Sequence, residues 1–220
     1  MKVGPMINSE FSISEKDISN LTDRVKKYLT PKRFLHTLAV ADEAAVLGAY
    51  FIPEKVQKLR VAALLHDITK KDDEKKQLQY FEEFGIILKG SEKYSTKTFH
   101  AKTAAEVAKR DFSEFVDEEI ITAIRLHTTG KYGMSVFDAI VYLADYIEKT
   151  RQFPDCIRLR KYFYDRINSV SDKYGVLVDT MVYSFDLTID NLLKENSIID
   201  EDTVGARNYY LTEKIRMNIR

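Results

Sequence analysis

Ala62-Ala63-Leu64-Leu65-His66-Asp67 carries an apolar run, of the kind that belongs in a core, straight into an imidazole and a carboxylate. Burying two such polar groups is costly unless something pairs with them, and a cation is the usual partner. Working outward from that pair, His36 precedes it, His100 and His127 follow it, and Asp145 closes the series. These positions use all four histidines of the chain, with none left over. Imidazole and carboxylate together suit iron, manganese, zinc or cobalt, ions that activate water for hydrolysis.

The surrounding periodicity is helical almost throughout. Pro53 begins the segment that runs through Val56, Leu59, Ala62, Ala63 and Leu65 into the pair. Before it, Ile18, Leu21, Val25, Tyr28 and Leu29 trace one face of a first helix. Thr30-Pro31 then supplies an N-cap hydroxyl and a proline at the first helical position. That second helix carries Phe34, Leu35, Leu38, Val40, Ala41, Ala45 and Val46, with His36 near its start. After the pair come a charge cluster from Lys70 to Lys76, a helix from about Glu74 to Phe84 stopped by Gly85, and a polar loop over 86–97. A helix starts near His100 with Ala104, Ala105, Val107 and Ala108 inward, and Glu118 to Leu126 leads to His127 at a helix end. Val136 to Glu148 holds Asp145, and two or three amphipathic helices follow Pro154, ending near Leu211. With only eight glycines, four prolines and no β-alternation, the pattern predicts an all-α fold. The expected organisation is an N-terminal extension over 1–15, a single domain over 16–212 and a tail over 213–220.

Composition narrows the function classes. The 34 basic and 34 acidic side chains cancel, which argues against a general attraction to nucleic acid or an anionic membrane. Cys156 is the only cysteine, so no intrachain disulfide forms, and a packed structural thiol is the simpler reading. The longest apolar stretch, Ala44 to Ile52, falls short of a membrane span, and residues 1–15 lack the pattern of a secretory signal. The expectation is a cytoplasmic protein.

Each metal candidate has a bland reading when taken alone. His100 could be a helix-start residue, His127 a cation at a helix C-terminus, Asp145 the partner of some arginine. Taken together they are harder to dismiss. His36 from an earlier helix and Asp145 from a later one converge on His66-Asp67 only if helices bundle around a central cavity, the usual way such sites are built.

The order His36…His66-Asp67…Asp145 resembles the HD-domain superfamily of metal-dependent phosphohydrolases. Arg33-Phe34-Leu35-His36-Thr37, Leu64-Leu65-His66-Asp67-Ile68-Thr69-Lys70, Ile124-Arg125-Leu126-His127-Thr128-Thr129-Gly130 and Ile140-Val141-Tyr142-Leu143-Ala144-Asp145-Tyr146-Ile147-Glu148 are similar to the bacterial YqeK family, over roughly residues 18–212. That family is known for symmetrical hydrolysis of diadenosine tetraphosphate to two ADP. The resemblance implies an HD helical bundle with two iron ions in a central cavity, manganese, cobalt or zinc being further options. His36, His66, Asp67 and Asp145 would hold the first ion, and Asp67 would bridge to a second held by His100 and His127. The chemistry of the residues agrees, since two cations about 3.5–4 Å apart can activate one water and clamp a phosphoryl group.

Lys70, three residues after Asp67, sits about one helical turn onward and has a catalytic role in this reading; a solvated lysine is the bland alternative. Arg151 resembles the family's phosphate-binding arginine, and Thr128 and Thr129 offer hydroxyl or amide donors. Asp67, His100 and His127 would also face the substrate. Asp202-Thr203-Val204-Gly205-Ala206-Arg207-Asn208 is similar to the family's terminal nucleotide motif, which assigns Thr203, Arg207 and Asn208; without the family they read as surface residues. The partner is thus a small nucleotide, with no nucleic acid and no membrane, and a homodimer is compatible with it. The rival expectations are the same chemistry on a deoxynucleoside triphosphate, a guanosine tetraphosphate alarmone or a cyclic nucleotide, and a non-catalytic nucleotide sensor.

Overall fold

Helix starts in this chain are written in hydroxyl and carboxylate side chains. The computed structural model describes residues 11–219, and among these the backbone forms α-helices joined by turns and short 3-10 segments, with no strand. The helices are α1 (Glu15–Val25), α2 (Pro31–Phe51), α3 (Val56–Leu65), α4 (Glu74–Phe84), α5 (Phe99–Asp111), α6 (Glu118–Leu126), α7 (Val136–Ile147), α8 (Pro154–Ile167), α9 (Lys173–Lys194) and α10 (Glu201–Ile219). Ser14 and Ser135 form capping boxes with Asp17 and Asp138. Thr30, Asp73, Asp117 and Asp172 each accept a hydrogen bond from an amide in the first turn of their helix. Each such cap is worth about 1 kcal/mol and fixes where the next segment begins.

α3 is the hub, packed by α1, α2, α6 and α7. Leu59 and Val61 to Leu65 are almost wholly inaccessible, which explains why this segment is apolar all round instead of showing one stripe. The two alanines let neighbouring helices approach closely, and each large aliphatic side chain contributes about 1.5–3 kcal/mol by its burial. α5 lies against α6, and α8, α9 and α10 form a further layer that reaches the core through α7. Phe163, Phe185, Ala206 and Tyr210 join that layer to the core.

Several boundaries differ from those read in the sequence. The 86–97 segment contains two 3-10 turns, Gly90–Tyr94 and Thr96–Thr98. Three helices follow Pro154, and the last runs on to Ile219, so no helix end marks the boundary expected near residue 212. On α2, Thr37, Val40, Ala41, Ala44 and Leu47 face the core, while Leu35 and Val46 are exposed. α2 is long and apolar enough by composition alone to cross a membrane. Here its inner face is covered by α3 and α7. The first ten residues of the expected N-terminal extension lie outside the described residues.

Candidate metal centre

Five helix ends deliver the six expected ligands to one place. His36 lies in the second turn of α2, and His66-Asp67 follow the last residue of α3. His100 opens α5, His127 follows α6, and Asp145 sits in the last turn of α7. His66 and His127 use the same local device: each ring Nδ1–H donates back to the carbonyl three residues earlier, Ala63 O at 2.6 Å and Ile124 O at 2.7 Å. Those carbonyls are among the helix-end acceptors that have no intrahelical donor. His36 is held by a carboxylate, its Nδ1 standing 3.0 Å from Oε1 of the fully buried Glu148. These bonds fix the tautomer and leave Nε2 as the outward nitrogen on all three rings.

The Asp67 carboxylate divides the cluster. Its Oδ2 lies 3.3 Å from His66 Nε2 and 3.9 Å from His36 Nε2. Its Oδ1 lies 3.2 Å from His100 Nε2 and 3.6 Å from His127 Nε2. Asp145 Oδ1 completes the first group, 3.0 Å from His36 Nε2 and 3.7 Å from His66 Nε2. Three overlapping sets of these residues, His36-His66-Asp67, His66-His127-Asp145 and Asp67-His100-His127, each bring their ligand atoms within 4.8 Å of one another. His36 Nε2 and His66 Nε2 are buried and lack the alignment for any hydrogen bond, close though they stand to carboxylate oxygens. Buried nitrogens aimed at carboxylates yet unpaired with them are what a cation-binding donor set requires, and mixed imidazole and carboxylate suits a divalent ion.

The electrostatics agree. Burial alone would raise the Asp67 carboxyl, but His66, His100 and His127 packed around it hold it well below the usual carboxylate range. Asp145 follows the same logic, burial being outweighed by Arg151 and His36. Burial pushes His100 down to about 4, which keeps it a neutral ligand, and lowers His127 as well. His66 goes the other way: burial opposes its charge, yet Asp67 and Asp145 raise it. A cluster whose carboxylates make a fully buried imidazole more basic is one that attracts positive charge.

An open cavity of about 660 Å³ exposes His36, Asp67, His100 and Asp145 to solvent. Lys70, Arg151 and Thr128 line it, as do Arg33, Lys32, Gln152 and Phe153. The chain beyond α3 runs in tight turns instead of a helix, with Lys70 N–H on Asp67 O at 2.9 Å, and this still puts Lys70 on the metal side. Lys70 Nζ lies 3.1 and 3.2 Å from the two His100 ring nitrogens, and burial lowers its pKa. Arg151 Nη2 donates to Asp145 Oδ1 at 2.6 Å, while its Nε is buried with no partner among the described residues. The terminal motif divides: Thr203 lines a second, smaller cavity, whereas Arg207 pairs with Asp186 at 2.6 Å and, like Asn208, lines neither. Tyr142 is core packing against Phe185.

Two residues escaped sequence reasoning. Glu148 orients His36 and also takes hydrogen bonds from the Thr150 amide and hydroxyl. Arg33 donates to Asp67 Oδ2 at 2.9 Å. In sequence both sit beside lysines, where a solvated charge is the ordinary expectation. Arg33 stands one helical turn before His36, and Glu148 three residues after Asp145, the spacings that could have flagged them.

The geometry joins a family at this point. The HD domain pattern matches residues 33–150, just over half of the chain. The chain belongs to the HD-domain phosphohydrolases. All six cluster residues fall within that HD domain. A protein of Halalkalibacterium halodurans named bis(5'-nucleosyl)-tetraphosphatase, symmetrical, is 32% identical over 86% of this chain and 95% of its own length. A protein of the same name from Bacillus subtilis is 30% identical over 86% of this chain and 94% of its own. Among solved structures, an HD-superfamily hydrolase from Clostridium acetobutylicum, described as involved in NAD metabolism, superposes with a TM-score of 0.77 at 31% identity. It is matched over 97% of its chain and 89% of this one.

Proposed function

We propose that this protein hydrolyses dinucleoside tetraphosphates symmetrically, adding one water to diadenosine tetraphosphate to release two ADP, with two iron ions per chain. The observation that carries the reading is the divided Asp67 carboxylate, whose two oxygens face separate groups of donors, His36 and His66 on one side and His100 and His127 on the other. The relatives' shared name supplies the substrate, and their match over most of the chain supports transferring it. His36, His66, Asp67 and Asp145 would hold one ion, and Asp67, His100 and His127 the other. Bound there, such cations lower the pKa of water towards neutrality and act as Lewis acids on phosphoryl oxygens.

The chain's own residues do the rest. The Glu148, Ala63 and Ile124 oxygens stop the His36, His66 and His127 rings from turning. Arg33, Lys70 and Arg151 set three cationic side chains on the cavity wall, matched to a polyphosphate chain whose charge grows at the breaking bond. Thr128 adds a hydroxyl with no hydrogen-bond partner among the described residues. Cys156 takes no part: it is buried, and burial raises its thiol.

The test is product analysis in heavy-oxygen water, with iron, manganese, cobalt or zinc supplied to metal-free protein. Diadenosine tetraphosphate should give two ADP, one of each pair carrying the label. Dominant ATP plus AMP would overturn the reading, as would faster turnover of deoxynucleoside triphosphates, guanosine tetraphosphate or NAD. Absence of any turnover in metal-loaded protein would favour the sensor reading.

A further inference from the structure

His100 is the one ring of the cluster whose aim is not fixed through Nδ1. The other three rings each set that nitrogen against an oxygen. His100 Nδ1 instead has the Lys70 ammonium 3.1 Å away, and an ammonium accepts nothing. Its helix brings no help either: Thr98, at the N-cap of α5, sends its hydroxyl to Ser95 O at 2.8 Å and caps no amide. Something else must hold this ligand, whose Nε2 lies 3.2 Å from Asp67 Oδ1.

A buried polar triad drawn from three elements meets the His100 backbone. α4 is a surface helix whose pattern is inverted at one point: it buries Gln77, 4% exposed, and leaves Leu78 47% exposed. Thr69 lies in the turns after Asp67, and Thr103 stands three residues after His100 in α5; both are buried. Gln77 Nε2 donates to Thr69 O at 2.7 Å, and Thr103 Oγ1 donates to Gln77 Oε1 at 2.5 Å. Thr69 Oγ1 stands 3.0 Å from His100 O and 2.8 Å from Thr103 Oγ1. The directions follow from counting hydrogens. A carbonyl only accepts, so Gln77 turns its NH2 to Thr69 O and its oxygen to Thr103. Thr103 spends its single hydroxyl hydrogen there, which makes Thr69 the donor towards His100 O and Thr103 Oγ1. No side-chain polar atom of the three is left buried and unpaired, the condition under which such a network rigidifies a core.

We infer that Gln77, Thr103 and Thr69 are positioning residues for one half of the metal centre, holding the backbone of His100 in register with the turn that carries Asp67. They act through main chain: Thr69 through the His100 carbonyl, and Gln77 through the Thr69 carbonyl, which also accepts from the Asp72 amide at 3.1 Å. The inference rests on the two-ion reading above and deepens it, since His100 serves the ion on the Asp67 Oδ1 side. The His36 and His66 half is aimed by Glu148 and Ala63 instead, so the triad bears on one ion and not on the other.

Thr69→Val and Thr69→Ser separate hydrogen bonding from packing, because valine keeps the volume and loses the donor, while serine keeps the donor and loses a methyl group. Cobalt is titrated calorimetrically into metal-free protein whose fold is checked by circular dichroism, with His100→Ala marking which binding event belongs to the His100 side. Thr69→Val should weaken that ion about 10- to 100-fold and leave the other close to its parent value, as loss of an outer hydrogen-bond partner of a metal ligand does. Thr69→Ser should stay close to the parent, and Gln77→Met should move in the same direction as Thr69→Val. A loss in Thr69→Ser as large as in Thr69→Val would overturn the inference in favour of packing. Equal weakening of both ions would overturn it too, as would unchanged affinity in both Thr69→Val and Gln77→Met. If the parent takes up one cobalt only, the two-ion reading falls, and the positioning of His100 is read by magnetic resonance of metal-free protein carrying isotope-labelled histidine. There Thr69→Val should shift the His100 ring signals and leave those of His36 in place; unshifted His100 signals would end the inference as well.

Discussion

Replacing Gly130 with alanine should damage the protein more than any other exchange of a hydrogen for a methyl group in the same loop. Gly130 closes the turn after His127 at φ +64°, its N–H on Leu126 O at 2.8 Å. A Cβ there would lie 2.7 Å from Phe185 Cζ and 2.9 Å from both Ala206 Cβ and Met134 Sδ. Ala206 cannot retreat, because its Cβ is tied to the α10 backbone. Left-handed backbone costs an L-residue about 1–2 kcal/mol, and overpacking adds about 1–3, for a total of roughly 2–5 kcal/mol. Gly133, three residues on, has φ +79° and nothing within 4 Å of an added Cβ, so Gly133→Ala isolates the backbone part. At about 2–4 °C per kcal/mol for a chain of this size, Gly130→Ala should melt about 4–20 °C below the parent and Gly133→Ala about 2–8 °C below. Thermal denaturation followed by circular dichroism reads both. Equal melting temperatures for the two variants would refute the steric argument, since only Gly130 is crowded.

Asp67→Ala should abolish hydrolysis and strip metal from both halves of the cluster while the helical spectrum persists; near-normal turnover in a metal-free sample of that variant would exclude the shared-carboxylate arrangement. Glu148→Gln should lower metal affinity or activity about 10- to 100-fold by loosening His36, measured by metal titration, and an unchanged affinity would leave Glu148 with a merely structural role. Glu43 tests the fold apart from the site. Burial raises its carboxyl, although Tyr164 Oη donates to it at 2.5 Å. With the folded pKa raised, the stabilising contribution is complete below the ordinary glutamate range and lost as pH rises through the folded value. Glu43→Gln should therefore melt above the parent at pH 8, with the gap closing towards pH 5; a gap that widens in acid would contradict the sign.

The helical class and the cluster were legible because charged groups interrupting apolar runs carry their own address. His66-Asp67 ends a segment buried on every side, and no surface reading of it survives. Glu148 was not legible, since its burial arises from the turn after α7 folding back on Thr150, a tertiary event with no periodic trace. Arg33 looks like its neighbour Lys32, and only the orientation of α2 separates the one that reaches Asp67. The second cavity was legible only in part: Thr128, Thr129 and Thr203 on its wall stand in motifs the sequence singles out, whereas residues 94–98 read as an ordinary polar loop.

The histidine bonds that close α3 and α6 bear on how the protein endures shortage. Where an ion assembles its own site, the free energy of folding arrives with the metal, and starvation unfolds the chain. Here each ring is aimed by the last carbonyls of its own helix, and the core that holds those helices is aliphatic and aromatic. On this geometry, losing the ions should silence the catalyst without unfolding the chain. A depleted supply would then leave a folded reserve, with activity returning at the rate of metal binding instead of the rate of new synthesis.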